Sequence, residues 1–285
     1  MISSSPTKIM AISNPKGGVG KTTTAINLAA SIALAEKKVL LIDLDPNGAL
    51  TEGMGFRREE VHTGVFDLFL GTFDCVAITY KCNVPFLDLI PCNIFNNEQE
   101  IRLNFMAKNR ILLKTKIYDL ILRSSVHYDY IIIDTPPSLN DLTMGALYAA
   151  NSVLIPLQCG YFALQVVDRL LRLIERIRKG ANPDLTIECV VLNFYEKSTR
   201  AGQLSAAEAE KMFKHLMAKT VIPKNAAISY AAFEKLPIVL VDVCSPGAVS
   251  YLELAREILE NNQNLSSRVL NTKSYHASVA FDSDS

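Results

Sequence analysis

The sequence has no surplus of either charge: 29 lysines and arginines stand against 29 aspartates and glutamates among 285 residues. A uniformly basic surface that would draw nucleic acid from any side is excluded, so contact with DNA would need a local patch. Close cysteine pairs are missing too. Cys75, Cys82, Cys92, Cys159, Cys189 and Cys244 show no C-x-x-C spacing, which argues against a disulfide framework or a thiolate metal site. They read as reduced, mostly buried thiols of a cytosolic protein. His62, His127, His215 and His276 are scattered, so no histidine metal site is indicated. No apolar run reaches the length of a membrane span. Residues 1–7 are polar and lack the apolar core of a secretion signal, and they are expected to be flexible. These absences point to the cytoplasm.

What is present is a hydrophobic content of 49%, enough for a sizeable core in one large domain. Short apolar runs rich in β-branched residues alternate with longer helical patterns, as in a parallel sheet covered by helices. Strands are predicted at 8–13, 38–43, 86–91, 130–134, 152–156 and 186–193, with a short one near 220–222. Helices are predicted near 22–35, 97–124 with a break around Lys108, 141–150, 163–179, 203–218 and 247–261. The fold class is therefore α/β: a doubly wound, mostly parallel sheet with helices on both faces, spanning 8–261. Residues 262–285 lose periodicity, become rich in Ser, Asn and Asp, and are expected to form a mobile tail without a basic amphipathic face.

The run Asn14-Pro15-Lys16-Gly17-Gly18-Val19-Gly20-Lys21-Thr22-Thr23 joins the first strand to the first helix. Glycines at 17, 18 and 20 permit backbone angles closed to other residues, so successive N–H groups can turn inward around an anion. The positive end of the following helix adds to that attraction. Lys21 can reach β- and γ-phosphates, and the Thr22 hydroxyl is placed to ligate Mg²⁺. The strict pattern G-x-x-x-x-G-K-[ST] fails, because Pro15 occupies the first glycine position, and a second lysine, Lys16, stands beside it.

Two apolar strands end in acids. Val39-Leu40-Leu41-Ile42 runs into Asp43-Leu44-Asp45-Pro46, where Pro46 stops the ladder. Acids that merely cap a strand would account for one aspartate, but the alternating pair beside a phosphate loop reads as functional. Tyr130-Ile131-Ile132-Ile133 ends at Asp134, followed by Thr135-Pro136-Pro137-Ser138. An acid there fits a Walker B carboxylate that holds Mg²⁺ through water, and the prolines stiffen a turn able to sense the γ-phosphate. A doubly wound sheet binds its ligand beyond the carboxyl ends of its strands, where all these motifs fall.

Lys-Gly-Gly-x-Gly-Lys-Thr is the deviant Walker A loop, and with the Asp-x-Asp-Pro and Asp-x-Pro-Pro-Ser segments the chain resembles the ParA/Soj family of partitioning ATPases over about residues 8–260. That resemblance implies a P-loop ATPase using ATP and Mg²⁺. Lys16 would reach the partner's phosphates across an ATP-dependent homodimer, and Asp45 would orient the attacking water. Asp43 would lie nearer the magnesium shell. The resemblance extends the nucleotide site from Lys16, Gly17, Gly18, Val19, Gly20, Lys21, Thr22 and Thr23 to Asn193 on the base edge, and to Pro223 and Asn225 on the ring. It further implies a ParB-like activator and nonspecific double-stranded DNA, gripped by Lys197, Arg200 and Lys224, in a cytoplasmic, nucleoid-associated partitioning role.

The chain departs from the family where DNA binding matters. Ala227 replaces an arginine, Ser229-Tyr230-Ala231-Ala232-Phe233-Glu234-Lys235 replaces a Ser-x-x-Pro-Ser-x-Gly turn, Gly160 replaces an acid, and Asn47-Gly48-Ala49 replaces Gln-Gly-Asn. A basic stripe at helical spacing, Arg169, Arg172, Arg176 and Lys179, offers a second surface that is either solvated or DNA-facing. The alternative reading is a related switch that positions a protein or membrane-associated cargo without DNA. A stable membrane anchor is not expected. A redox relative would need paired cysteines to share a cluster between subunits, which these lack.

Overall fold

Each central strand is apolar along most of its length and splits its side chains between two cores, which is the pattern of a sheet covered on both faces. In β1 (Lys8–Ile12), Ile9 and Ala11 enter one core while Met10 and Ile12 enter the other. The same split divides Leu40 and Ile42 from Val39 and Leu41 in β2 (Val39–Asp43), and Ile131 and Ile133 from Tyr130 and Ile132 further along. The computed structural model describes residues 6–72, 74–158 and 161–281, without the side chains of 161–166 and 264–281.

In chain order, β1 leads into α1 (Lys21–Leu34), β2, and two short helices, α2 (Ala49–Gly53) and α3 (Val65–Leu70). A hairpin of β3 (Tyr80–Lys81) and β4 (Leu87–Ile90) follows, then α4 (Asn97–Ala107) and α5 (Leu112–Arg123). Next come β5 (Tyr130–Asp134), α6 (Asp141–Ala149), β6 (Ser152–Gln158), α7 (Tyr161–Lys179) and β7 (Thr186–Asn193). The chain continues through α8 (Arg200–Phe213), α9 (Ala226–Phe233), α10 (Ile238–Val241) and α11 (Pro246–Phe281).

Among the described residues the sheet has seven strands in the order β3-β4-β2-β5-β1-β6-β7, parallel except for the β3–β4 pair. From β1 the chain crosses to β2 on one side, whereas β5 leads to β6 on the other, so the winding reverses at the β5–β1 junction. That switch point opens a crevice above the strand ends. The register sets Asp134 level with both Ile12 and Asp43, so three functional segments leave the sheet side by side.

The expected strands and the break at Lys108 are present, with boundaries moved by a residue or two. One expectation is corrected. The segment near 220–222 is no strand; it runs beside β7 through single bridges, Val190 to Met217 and Tyr195 to Pro223. Thr220 is drawn off by α11 instead, since the Glu257 carboxylate accepts from the N–H groups of Lys219 and Thr220 and from the Thr220 hydroxyl. The short elements α2, α3, α9, α10 and β3 were not predicted. Helix α11 continues through the segment read as a tail, and its side chains from 264 lie outside the described residues, as does Gly160.

Candidate functional site

The loop between β1 and α1 is built by its glycines and by Asn14. The Asn14 side chain donates to Pro156 O at 2.8 Å and accepts from Lys16 N–H at 2.9 Å, fixing the start of the loop to β6. Gly18 and Gly20 take left-handed angles, φ 73° and 86°, and Gly20 caps α1. A Cβ at Gly20 would sit 2.8 Å from Asn193 Nδ2 and 3.3 Å from the Phe194 ring. Only glycine fits both the angle and the space.

Lys21, the first residue of α1, is buried and donates from Nζ to Lys16 O at 3.2 Å. Burial lowers its pKa, while the negative charges of Asp134 and Asp45 oppose that shift. Thr22 donates from Oγ1 to Asp134 Oδ2 at 2.7 Å. Asp134 is fully buried, and its other oxygen, Oδ1, has no hydrogen-bond partner. Desolvation, and next the Asp43 charge, push the Asp134 carboxyl well above the usual range, against the pull of Thr22 and Lys21.

Asp43 is equally buried but satisfied. Its Oδ2 accepts from the Thr51 N–H at 2.8 Å and the Thr51 hydroxyl at 2.6 Å. Burial still raises its pKa to about 6, with Thr51 pulling down and Asp45 pushing up. Asp45 stands at the rim, 8% exposed, with Oδ1 accepting from the Asn47 backbone and side-chain amides at 3.0 and 2.9 Å. The substituted Asn47-Gly48-Ala49 segment thus closes the turn that carries Asp45 and starts α2.

Asn193 ends β7 with its amide donating to Val19 O at 3.0 Å and Thr24 Oγ1 at 3.1 Å. Its Oδ1 is buried without a partner. Asn225 caps α9 by accepting from Ala227 N–H at 3.0 Å. Pro223 is half-buried beside it. The loop, Lys21, Thr22, Asp43, Asp45, Asp134 and Asn193 therefore converge at one end of the sheet. Lys16 lies half-exposed in the loop. A cleft of about 260 Å³ opens beside Thr22 and Thr23 between α1, α2 and α9, lined also by Ile26, Glu52, Ile228 and Lys235.

The basic residues proposed for DNA are exposed. Lys197 and Arg200 sit at the entry to α8, and Lys224 pairs with Glu196 at 3.2 Å. On α7, Leu170, Ile174 and Ile177 are buried and the four basic residues face solvent. Two of those four are matched within the helix, Arg172 by Asp168 and Lys179 by Glu175. Residues without a sequence signal also shape the site. Thr51 ties α2 to Asp43, Asn14 ties the loop to β6, and Phe194 holds a left-handed φ of 55° against Gly20.

Comparison with known proteins agrees with this geometry. A protein-family model described as an AAA domain matches residues 7–187. The sporulation initiation inhibitor protein Soj of Bacillus subtilis is 42% identical over 254 residues, 89% of this chain and 99% of its own. The chromosome partitioning protein ParA of Caulobacter vibrioides is 38% identical over 263 residues, 92% of this chain and 98% of its own. Among solved structures, cobyrinic acid a,c-diamide synthase of Mycobacterium smegmatis, with bound ATP analog and magnesium, superposes with a TM-score of 0.75 at 28% identity. It covers 90% of this chain and 96% of that chain. The left-handed glycine loop, the paired strand-end acids and these full-length likenesses together place the chain in the ParA/Soj family of deviant Walker A proteins.

Proposed function

We propose that the chain is an ATP-dependent dimerisation switch, hydrolysing ATP to ADP and phosphate in chromosome or plasmid partitioning. The observation that carries this reading is the junction of half-buried Thr22 with buried Asp134, beside buried Lys21 at the glycine loop, with one Asp134 oxygen unpartnered. A buried acceptor without a donor is costly, and a hydrated cation would satisfy it. Mg²⁺ fits, because the donors are hard oxygens and because this ion keeps most of its water and takes only one or two protein ligands. Among the described residues no cluster of three acids, cysteines or histidines forms a protein cage for a metal. Thr22 would hold the ion directly and Asp134 through water, with Asp43 adding negative charge to the outer shell. Bound there, Mg²⁺ would neutralise charge on the phosphates.

The chain's own residues supply the rest. The N–H groups of residues 17–20 and the start of α1 cradle the phosphates, and Lys21 exchanges its bond to Lys16 O for one to a phosphate oxygen. Asp45, at the rim, accepts a hydrogen bond from the attacking water and aligns it. Phosphoryl transfer asks for this positioning and charge more than for a strong acid or base. Lys16 completes the partner's site, so turnover requires the homodimer. Asn193 Oδ1 is free to accept from the adenine amine, with Pro223 and Asn225 flanking the ring. The relatives named for chromosome partitioning support the cellular role. A ParB-like activator and a nucleoid-associated place in the cytoplasm belong to the same proposal.

Nonspecific DNA contact through Lys197, Arg200 and Lys224 would be salt-sensitive. The pairing of Lys224 with Glu196, and Ala227 in place of an arginine, favour the second reading, a switch for protein or membrane-associated cargo. DNA retention measured across salt concentrations with ATP and with ADP separates the two. Partitioning predicts retention with ATP alone, and equal, negligible retention in both states overturns the DNA role. ATP turnover that is the same in wild type, Lys16→Gln and Asp45→Ala would overturn the switch itself.

A further inference from the structure

We propose that Thr51 is a positioning residue for Asp45, an assignment that rests on the ATPase reading above. Its single hydroxyl joins three segments. The proton goes to Asp43 Oδ2 at 2.6 Å, and a lone pair accepts the Cys92 N–H at 2.8 Å. Because the amide proton of Cys92 can only be donated, the hydroxyl proton is directed to the carboxylate. The Thr51 backbone N–H reaches the same carboxylate oxygen at 2.8 Å. Thr51 is 1% exposed and Asp43 fully buried, so water does not compete for these bonds.

The consequence falls on the turn between the two ends of this clamp. Its entry is held by Leu44 N–H donating to Asp134 O at 3.1 Å. Thr51 holds its exit. Between them Asp45 is bonded chiefly to its own turn: Asn47 donates twice to its carboxylate, Gly48 N–H donates to its carbonyl at 2.9 Å, and its own N–H faces Asp43 Oδ1 at 3.3 Å. Cys92, held by Thr51, in turn lies beneath the turn, with Sγ 3.6 Å from Pro46 O. The rim carboxylate thus inherits its position from a turn pinned at both ends to neighbouring strands. Loosening the exit lets Asp45 drift while the phosphate loop, fixed separately by Asn14 and Asn193, stays in place.

The test compares wild type, Thr51→Val and Thr51→Ser in the full-length chain, with ATP, Mg²⁺ and double-stranded DNA. Valine keeps the shape and the backbone bond but removes both hydroxyl bonds; serine keeps them. In Thr51→Val, kcat should fall about 10- to 100-fold, the scale of a small misplacement in a positioned reaction. The KM for ATP and the affinity for a fluorescent ADP analogue should stay within about threefold of wild type, because ground-state binding is untouched. Thr51→Ser should recover most of the rate. A valine variant with wild-type kcat, or one that loses nucleotide affinity in step with rate, overturns the assignment, as does a serine variant impaired as badly as valine. Wild type that binds nucleotide but never turns it over overturns the ATPase reading and this assignment with it.

Discussion

The three loop glycines predict three different outcomes for one substitution, alanine, in the ligand-free protein. At Gly17 a Cβ would meet only Pro137 Cβ at 3.8 Å, an ordinary contact, and the backbone is not left-handed. That change should stay within about 0.5 kcal/mol of wild type. At Gly18 the added atom meets nothing within 4 Å, but φ is 73°, so only the left-handed strain of roughly 1–2 kcal/mol applies. At Gly20 the same strain is joined by a contact of 2.8 Å with Asn193 Nδ2. Relieving it displaces the amide from Val19 O and Thr24 Oγ1, and losing those two bonds adds about 2 kcal/mol. The sum for Gly20→Ala is roughly 3–4 kcal/mol, which lowers Tm by about 10 °C in a domain of this size. Urea denaturation read by circular dichroism, with thermal melts beside it, gives the ranking. A Gly20 variant as stable as the Gly18 variant would refute the close approach of Asn193. A Gly17 variant as damaged as Gly18 would refute the backbone argument.

Two other perturbations test the acids. The pKa of Asp43 is raised to about 6, above its unfolded value of about 3.9, so its favourable contribution is present below about pH 4 and is lost as pH rises through 6. Stability of wild type relative to Asp43→Asn, from urea titrations at pH 4 and pH 7, should therefore fall by about 2 kcal/mol over that window; a flat or rising difference contradicts the burial argument. Thr22→Val removes the one hydroxyl donor on Asp134 and should cost about 1–3 kcal/mol without ligand. It should also leave ADP affinity indifferent to EDTA, whereas wild type weakens when Mg²⁺ is removed; calorimetric titration of both proteins checks this.

Much of the fold was legible because its determinants are local and repetitive. Five-residue apolar strands such as β2 and β5 are buried on both faces, so they carry a continuous apolar run that no surface helix would show. Acids at the ends of such runs stand out for the same reason. The loop was legible because a left-handed backbone demands glycine. The unpredicted elements are short and depend on contacts distant in sequence. Helix α3 begins where Asn93 accepts from Phe66 N–H and donates to Asp67, a partnership nothing in residues 64–70 announces. Thr51 was silent because one buried threonine in a short helix resembles any other until Asp43 and Cys92 are folded around it. The path at 217–223 reads as a strand because its apolar residues pack on β7 and its backbone bonds to Val190, Leu192 and Tyr195, but Lys219 and Thr220 turn their N–H groups to Glu257 of α11 and interrupt the ladder.

The acids also crowd negative charge into the centre of the site. Asp45 and Asp134 act on Lys21, the single buried cation among the described residues, and Asp43 acts on Asp134, so full ionisation would leave excess negative charge in a centre largely closed to water. Burial pushes both fully buried carboxyls, Asp43 and Asp134, upward, and Asp134 leaves an oxygen unpartnered. Under the proposed function that arrangement favours nucleotide arriving with its cation over nucleotide alone. A cation held near Asp134 would oppose the upward shift that burial imposes on its carboxyl, so metal binding would depend on pH. Lys16, half-exposed and outside the buried cluster, is the remaining positive charge at the loop. Under the proposed function Lys21 answers the local acids and Lys16 serves a phosphate bound in another subunit, so that dimerisation would depend on the loaded nucleotide rather than on the empty site.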